Sequence, residues 1–518
     1  MILGNGKAAI PTAERGATLD ALFRRAVARR PDAIALADPP NREHFTDGRP
    51  RRLSYAESDR IVSGIAARLR RLGLATDTVV AVQLPNTVEG VLTVLGVLRA
   101  GMIAAPLPLL WRRGELIAAL GRIGTKAIVT TSHVEDFDHG ELAMQAAAAL
   151  FPVRYVCGFG SRLKDGVIPL DDLLTAQPED SIPEIEREAD AAAHVAVVTF
   201  DMTPHGLVAV PRNHAELLAG GLAVTLEGGI EQDAAILACC TMTSFAGLAL
   251  SVLPWLLAGG TLSLHHPFDP EAFATQCRQH TGLTVALPGA LVPRLADAGL
   301  LMRPEIATVL AAWRTPERLM ASPPWESNNT SLVDVLAFGE TAACGWRRGA
   351  DGKPWPLPAG LVQAPRDATG APGGVTVLEF SRTEAGTLAL RGPMVPQHSF
   401  PPGAERALTP HFRADADGFV DTGYACRLDR DTGTLAVTSP PPGLVTVGGC
   451  RFVLRDLEEA VRRANPDAAL AALPDALSGH RLAGRAADPE SVRAALEADG
   501  ANALLVDAFR VRHSREAA

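Results

Sequence analysis

Residues Val195 to Asn213 read VAVVTFDMTPHGLVAVPRN. A β-branched apolar run ends in a Pro/Gly turn and a second apolar run follows. That is the outline of strand, loop and strand with which many phosphate-binding sites begin. Such chemistry draws on free backbone N–H groups, hydroxyls and a cation. Here the loop offers one glycine, Gly206, one hydroxyl, Thr203, and the ring of His205, and Asp201 beside them would repel phosphate. It reads as a phosphate loop cut down to a turn.

Other chemistry-bearing residues are dispersed. The seven cysteines, Cys157, Cys239, Cys240, Cys277, Cys344, Cys426 and Cys450, form no CxxC pair, and the thirteen histidines show no HExxH spacing. His265 and His266 stand together without matching ligands in view, so they are not read as a metal site. An odd, scattered set of thiols suits a reducing cytoplasm.

A chain of 518 residues exceeds what one core usually serves, so two or more domains are expected. A net charge of −9 with 5% aromatic residues excludes nucleic acid as the main partner, which needs clustered cations and stacking platforms. The N-terminal MILGNGKAAIPTAERG lacks the apolar core of a signal peptide. The uncharged stretch Cys239 to Leu264 is long enough for a bilayer, but Pro254, Gly259 and Gly260 interrupt it. A buried helix followed by a buried strand is expected there, not a membrane span.

The elements around the loop alternate helix and strand, which favours mostly parallel sheets. LSYAESDRIVSGIAARLRRLG carries a capping box at Ser54 and Glu57 and apolar residues at helical spacing. TVVAVQLP, KAIVTTS, DAAILACCT, GTLSLHH and TVALPG read as buried strands. From about Gly373 to 438, short alternating strands suggest a small antiparallel barrel. SPPPG at 439–443 suits a linker, and 444–518 suits a small α+β unit with strand pairs and two helices. The expected fold class is α/β: a flexible tail over 1–17, then a large domain over 18–438. That domain holds two α/β sheet subdomains plus a small β-barrel, and a small α+β C-terminal domain follows.

With these segments in order, the chain resembles the adenylate-forming acyl-CoA synthetases and their ligase relatives, from about Thr18 to its end. VVAVQLPNTVEGVLTVLGVLRAGMIAAPLPLLWRRGEL, GTLALRGPMV, DGFVDTGYACRLDRDTG and GGCRFVLRDLEEAV are similar to the family's segments. The resemblance implies that a carboxylic or fatty acid is joined to ATP as an acyl-adenylate, with Mg²⁺, and passed to coenzyme A. It also implies where the nucleotide would lie. TFDMTPHG stands in the place of TSGTTGxPKG, about four residues shorter, with His205 where a lysine belongs, so Thr203, His205 and Gly206 are candidates. FGETA resembles YGxTE, giving Phe338, Gly339, Glu340 and Thr341, with Ala342 replacing the glutamate and Glu340 as the substitute metal ligand. Tyr424 replaces the aspartate of TGD, and a phenol does not accept two ribose hydroxyls as a carboxylate does. Pro440 replaces an arginine near the hinge. Arg512, His513 and Ser514 resemble an RHNxK ending, with Arg515 the nearest cation to the missing lysine.

Five ATP-handling positions are thus altered in one chain, and each such loss typically costs about 10²–10³ in rate. Three readings follow. One is an acid–CoA ligase using His205 and Arg515 as catalytic groups. The second, favoured on mechanism, is a non-catalytic relative that binds an acyl group, CoA or a protein partner, or assembles with itself. The third is ATP-independent acyl transfer through Cys344 or His513. By resemblance the acyl pocket falls at Ser244, Gly247 and Ala337, where small residues either leave room for a ligand or let a helix approach a sheet.

Overall fold

The Ser54 hydroxyl accepts the Glu57 N–H at 3.2 Å, and the Glu57 carboxylate takes the Ser54 N–H at 2.7 Å. Two orphan donors are satisfied, and the helix Tyr55–Arg71 begins there. Its buried face, with Ile61, Val62, Ile65 and Leu69, packs on the helix Val88–Arg99, which is buried along its whole length. Gly96 allows the close approach, since a Cβ there would stand 2.6 Å from Ile65 Cγ2. The same reciprocal cap, Asn213 with Glu216, opens the helix His214–Gly228, which stops at Gly229 in the left-handed region (φ 59°).

The computed structural model describes residues 16–175, 185, 190–327, 329–365, 374–407 and 410–510. These elements build two large sheets. The first, of eight strands, runs Ala342–Arg347, Ser331–Phe338, Ile306–Trp313, Leu283–Pro288, Ile236–Ala238, Leu262–Leu264, Ile34–Ala37, Arg52–Ser54. It is parallel in its middle and antiparallel at both edges. The second, of seven strands, runs Gly206–Asn213, Val195–Thr203, Ile103–Pro106, Val79–Gln83, Ala127–Thr131, Tyr155–Phe159, Ile168–Pro169. Central strands are apolar on both faces because helices cover both.

The barrel-like region is a six-stranded antiparallel sheet with Leu357–Pro358 and Gly360–Ala364 at its ends. It shares one continuous core with the two large sheets, in which Phe338, Phe380 and Tyr424 meet. The apolar stretch after Cys239 forms two short helices, Phe245–Leu250 and Val252–Ala258, and then the strand Leu262–Leu264. Among the described residues no helix is long and apolar enough to cross a membrane.

Residues 444–510 form a four-stranded antiparallel sheet with the helices Leu454–Ala464, Pro489–Ala498 and Ala503–Asp507. The third helix goes beyond the two expected, and Asn502 starts it by accepting the Leu505 N–H. A separate core of Val445, Phe452, Leu457, Val461, Leu496 and Phe509 holds this unit together. It docks on the large domain through polar contacts: Arg318 donates to the carbonyls of Asp475 and Gly479, and Asn502 donates to Glu115 at 3.0 Å. The observed architecture is of the α/β class expected, two sheet layers followed by a small α+β domain.

Candidate functional site

Thr203 pairs with Gly206 across an antiparallel ladder, so the quoted loop reduces to the two residues Pro204 and His205 between the strands Val195–Thr203 and Gly206–Asn213. The Thr203 hydroxyl donates to the Gly206 carbonyl at 2.9 Å and accepts the His205 N–H at 3.2 Å. It is spent in the turn. His205 is exposed, and neither it nor Thr203 nor Gly206 lines the cavity described below. With no N–H on Pro204 and that of His205 given to Thr203, the two-residue hairpin leaves no fan of donors for phosphate.

Two residues earlier on the same strand, Asp201 faces inward. Its Oδ2 accepts the Glu340 N–H at 2.9 Å, and its Oδ1 lies 3.0 Å from Arg451 Nη1 of the small domain. Arg451 Nη2 donates to the Tyr424 hydroxyl. Tyr424 is buried, and its ring meets Phe338 edge-on at 6.0 Å. Gly339, at φ 59°, is the hub: a Cβ there would overlap Asp201 Oδ2 and approach Arg451 Nη1 to 2.7 Å. Hairpin, strand end, barrel-like sheet and small domain therefore converge on one packed polar knot.

Glu340 is 1% exposed. Its Oε2 accepts the Phe245 N–H at 2.6 Å, and Arg314 Nη2 stands 3.3 Å from its Oε1. Burial pushes the carboxyl up from its ordinary range, and the Arg314 guanidinium opposes that shift. Below it, Arg212 donates to the Glu340 and Thr341 carbonyls and lies over the Phe245 ring at 3.7 Å. Arg212 Nε and Nη1 have no hydrogen-bond partner among the described residues, and burial holds its guanidinium down at about 10.

Next to the knot is a cavity of about 660 Å³, walled by both domains. Leu84, Leu110, Trp111, Phe200, Met202 and Trp313 make it largely apolar, and Thr446, Gly448, Gly449, Cys450 and Arg451 of the small domain close one side. Trp111 and Phe200 meet edge-to-face at 5.4 Å. Ser244 and Gly247 line the cavity, whereas Ala337 is buried within its strand and does not. The Ser244 hydroxyl caps the helix Phe245–Leu250 by accepting the Gly247 N–H at 3.1 Å. A Cβ at Gly247 would collide with the Thr241 carbonyl, so its small size serves backbone packing first. Cys239, Cys240 and Cys450 also line the cavity, and burial raises all three thiols, Cys240 to about 12. They are protonated at neutral pH and poor nucleophiles. Cys344 is buried outside the cavity.

Sequence reasoning assigned no role to Arg314, Arg451, Trp111 or His266, and it took Asp201 only as a repulsive charge. The GGCRFV segment marked the neighbourhood of Arg451 but not its partners, which lie 250 and 27 residues away. Arg515, with Arg512, His513 and Ser514, lies outside the described residues, and no lysine follows Lys353 in the sequence.

The residues assigned to ATP and Mg²⁺ by resemblance do not fit those groups as placed. The Thr203 hydroxyl is spent, both Glu340 oxygens are bonded, the Thr341 N–H goes to the Phe338 carbonyl, and Tyr424 is sealed against Phe338.

The family model described as AMP-binding enzyme matches residues 23–310. The chain is 27% identical over 524 residues to the 2-hydroxy-7-methoxy-5-methyl-1-naphthoate–CoA ligase of Streptomyces carzinostaticus, covering 97% of this chain and 88% of that one. It is 27% identical over 497 residues to the salicyl-AMP ligase / salicyl-S-ArCP synthetase of Mycobacterium tuberculosis, covering 90% and 81%. In fold it is similar to the amide bond synthetase McbA of Marinactinospora thermotolerans, with a TM-score of 0.68, 19% identity and coverage of 95% and 94%.

Proposed function

We propose that this chain, which belongs to the AMP-binding enzyme family, holds an apolar, ring-bearing carboxylic acid between its two domains without activating it through the family's ATP chemistry. The observation that carries this reading is the knot of Asp201, Gly339, Tyr424 and Arg451. It occupies the place where the resemblance puts the nucleotide and spends the polar groups on one another. Arg515 and Glu516, which stand where the resemblance puts the lysine near the α-phosphate, support the same reading.

The expectation of a carboxylic or fatty acid narrows here to an aryl acid. The two relatives named above act on a naphthoate and on salicylate. A cavity of about 660 Å³ with Trp111, Phe200 and Trp313 in its walls has the size and the aromatic surfaces for one or two fused rings.

A second reading, ligation through residues other than those assigned, draws on the similarity to the naphthoate–CoA ligase along 97% of the chain. One experiment separates the two. Purified protein is titrated calorimetrically with Mg·ATP and with 1-naphthoic acid, and acid-dependent exchange of pyrophosphate into ATP is assayed in parallel. Heat from the acid, with neither ATP binding nor exchange, is the expected result. Exchange that depends on the acid would overturn the non-catalytic reading.

A further inference from the structure

Among the described residues, four charged side chains line the cavity: Asp201, Glu340, Arg314 and Arg451. Three have both terminal polar atoms engaged inside the protein. Asp201 has one oxygen on Arg451 and the other on the Glu340 N–H. Glu340 has one oxygen on the Phe245 N–H and the other facing Arg314. Arg451 gives one terminal nitrogen to Asp201 and the other to Tyr424.

Arg314 differs. It follows the end of the strand Ile306–Trp313, its side chain is 35% exposed, and a guanidinium carries five N–H donors. Among the described residues its head meets one partner, Glu340, at 3.3 Å, longer than the 2.7–2.9 Å of a strong charge-assisted bond. Gly449 of the small domain packs on its stem, where a Cβ would lie 3.3 Å from Arg314 Cδ. The stem is thus held beside the cavity while most donors of the head have no partner among the described residues. His266, the other basic group in the wall, is held neutral by burial, with a pKa of about 4.

The geometry points to Arg314 as the anchor for the carboxylate of the bound acid, a specificity residue that separates acids from their neutral esters. This rests on the reading of the cavity as an acid site. The planar fork of Arg314 meets the two oxygens of a carboxylate while the ring of the ligand lies among Trp111, Phe200 and Trp313. Glu340 does not compete for all of the donors, because its second oxygen is already satisfied by the Phe245 N–H.

The test is calorimetric titration with 1-naphthoic acid, 2-hydroxy-1-naphthoic acid and salicylic acid, each paired with its methyl ester. Wild-type protein is expected to bind at least one acid about tenfold or more tightly than its ester, the range a desolvated charge-assisted contact supplies. Arg314→Gln alone would take its ion-pair partner from the buried Glu340 carboxylate, so the double variant Arg314→Gln/Glu340→Gln carries the test. It is expected to keep its fold by circular dichroism and to bind acid and ester alike. Arg314→Lys should retain only part of the preference, having charge without the fork. Trp111→Ala should weaken acid and ester by the same factor. Equal binding of acid and ester by wild-type protein would overturn the anchor while leaving the cavity as a ligand site. Retained acid preference in the double variant would also overturn it. Failure of all acids and esters to bind would overturn both the anchor and the acid-binding reading.

Discussion

Arg451 Nη1 stands 3.0 Å from Asp201 Oδ1, joining the small domain to a hairpin 250 residues earlier in the chain. Both side chains are largely buried, with 10% and 15% of their surfaces exposed. Breaking such a pair from one side leaves an uncompensated charge, which costs about 3–5 kcal/mol in comparable settings. Arg451→Met is therefore expected to destabilise by roughly 3 kcal/mol. Asp201→Asn combined with Arg451→Met should recover a large part of that loss. Urea unfolding of the two single variants and the double variant measures the coupling, and additive losses would show that the pair does not act as a unit.

Gly339 tolerates no side chain for two separate reasons. Its φ of 59° lies in the left-handed region, and a Cβ would overlap Asp201. Gly339→Ala is expected to lose about 2 kcal/mol or more, combining backbone strain with disruption of the knot. A thermal melt unchanged from wild type would mean that the knot relaxes freely.

Thr203 and His205 belong to the turn and not to the cavity. Thr203→Ala should lower stability by about 1 kcal/mol, the net worth of one hydrogen bond. Neither Thr203→Ala nor His205→Ala should change the affinity for an aryl acid, measured by the same titration. A tenfold loss from either would place the hairpin tip at the ligand.

His139 is 2% exposed, and burial, reinforced by the Arg112 cation, holds its imidazole down at about 3 against an ordinary value of 6.5. The folded protein therefore refuses a proton that the unfolded chain accepts. The contribution to stability is complete above pH 6.5 and is lost progressively as pH falls from 6.5 toward 3. Denaturation midpoints at pH 7, 5.5 and 4.5 should fall less steeply in His139→Gln than in wild type, by about one proton of slope. Parallel slopes would show that His139 does not carry the effect.

Much of the fold was legible because it follows from local rules. The capping box at Ser54, the unbroken apolar runs of the central strands and the turn residues of the barrel-like sheet each fix an element from its own neighbours. The third helix of the small domain was missed because Ala503–Asp507 spans only five residues and depends on the cap at Asn502. The site was legible in part. Pro204 and Gly206 announced a turn, and the structure shows how the Thr203 hydroxyl is consumed in closing it. Ser244 and Gly247 reached the cavity, whereas Ala337 did not, because a small residue inside a strand carries no sign of the face it packs against.

By itself the sequence determined the order of the elements and the short turn at Pro204 and His205, which are matters of residue type and spacing; the comparison of that turn with a phosphate loop and of Tyr424 with an acid came from the family resemblance. Only the tertiary structure decided what these changes amount to. Asp201 is read as a repulsive charge until Arg451 is brought beside it. Glu340 is read as a metal ligand until the Phe245 N–H and Arg314 are seen to hold both its oxygens. Arg314 is one of many arginines until the cavity opens next to it. A charge acquires its role from the groups that neutralise or exclude it, and those groups lie tens to hundreds of residues away along the chain.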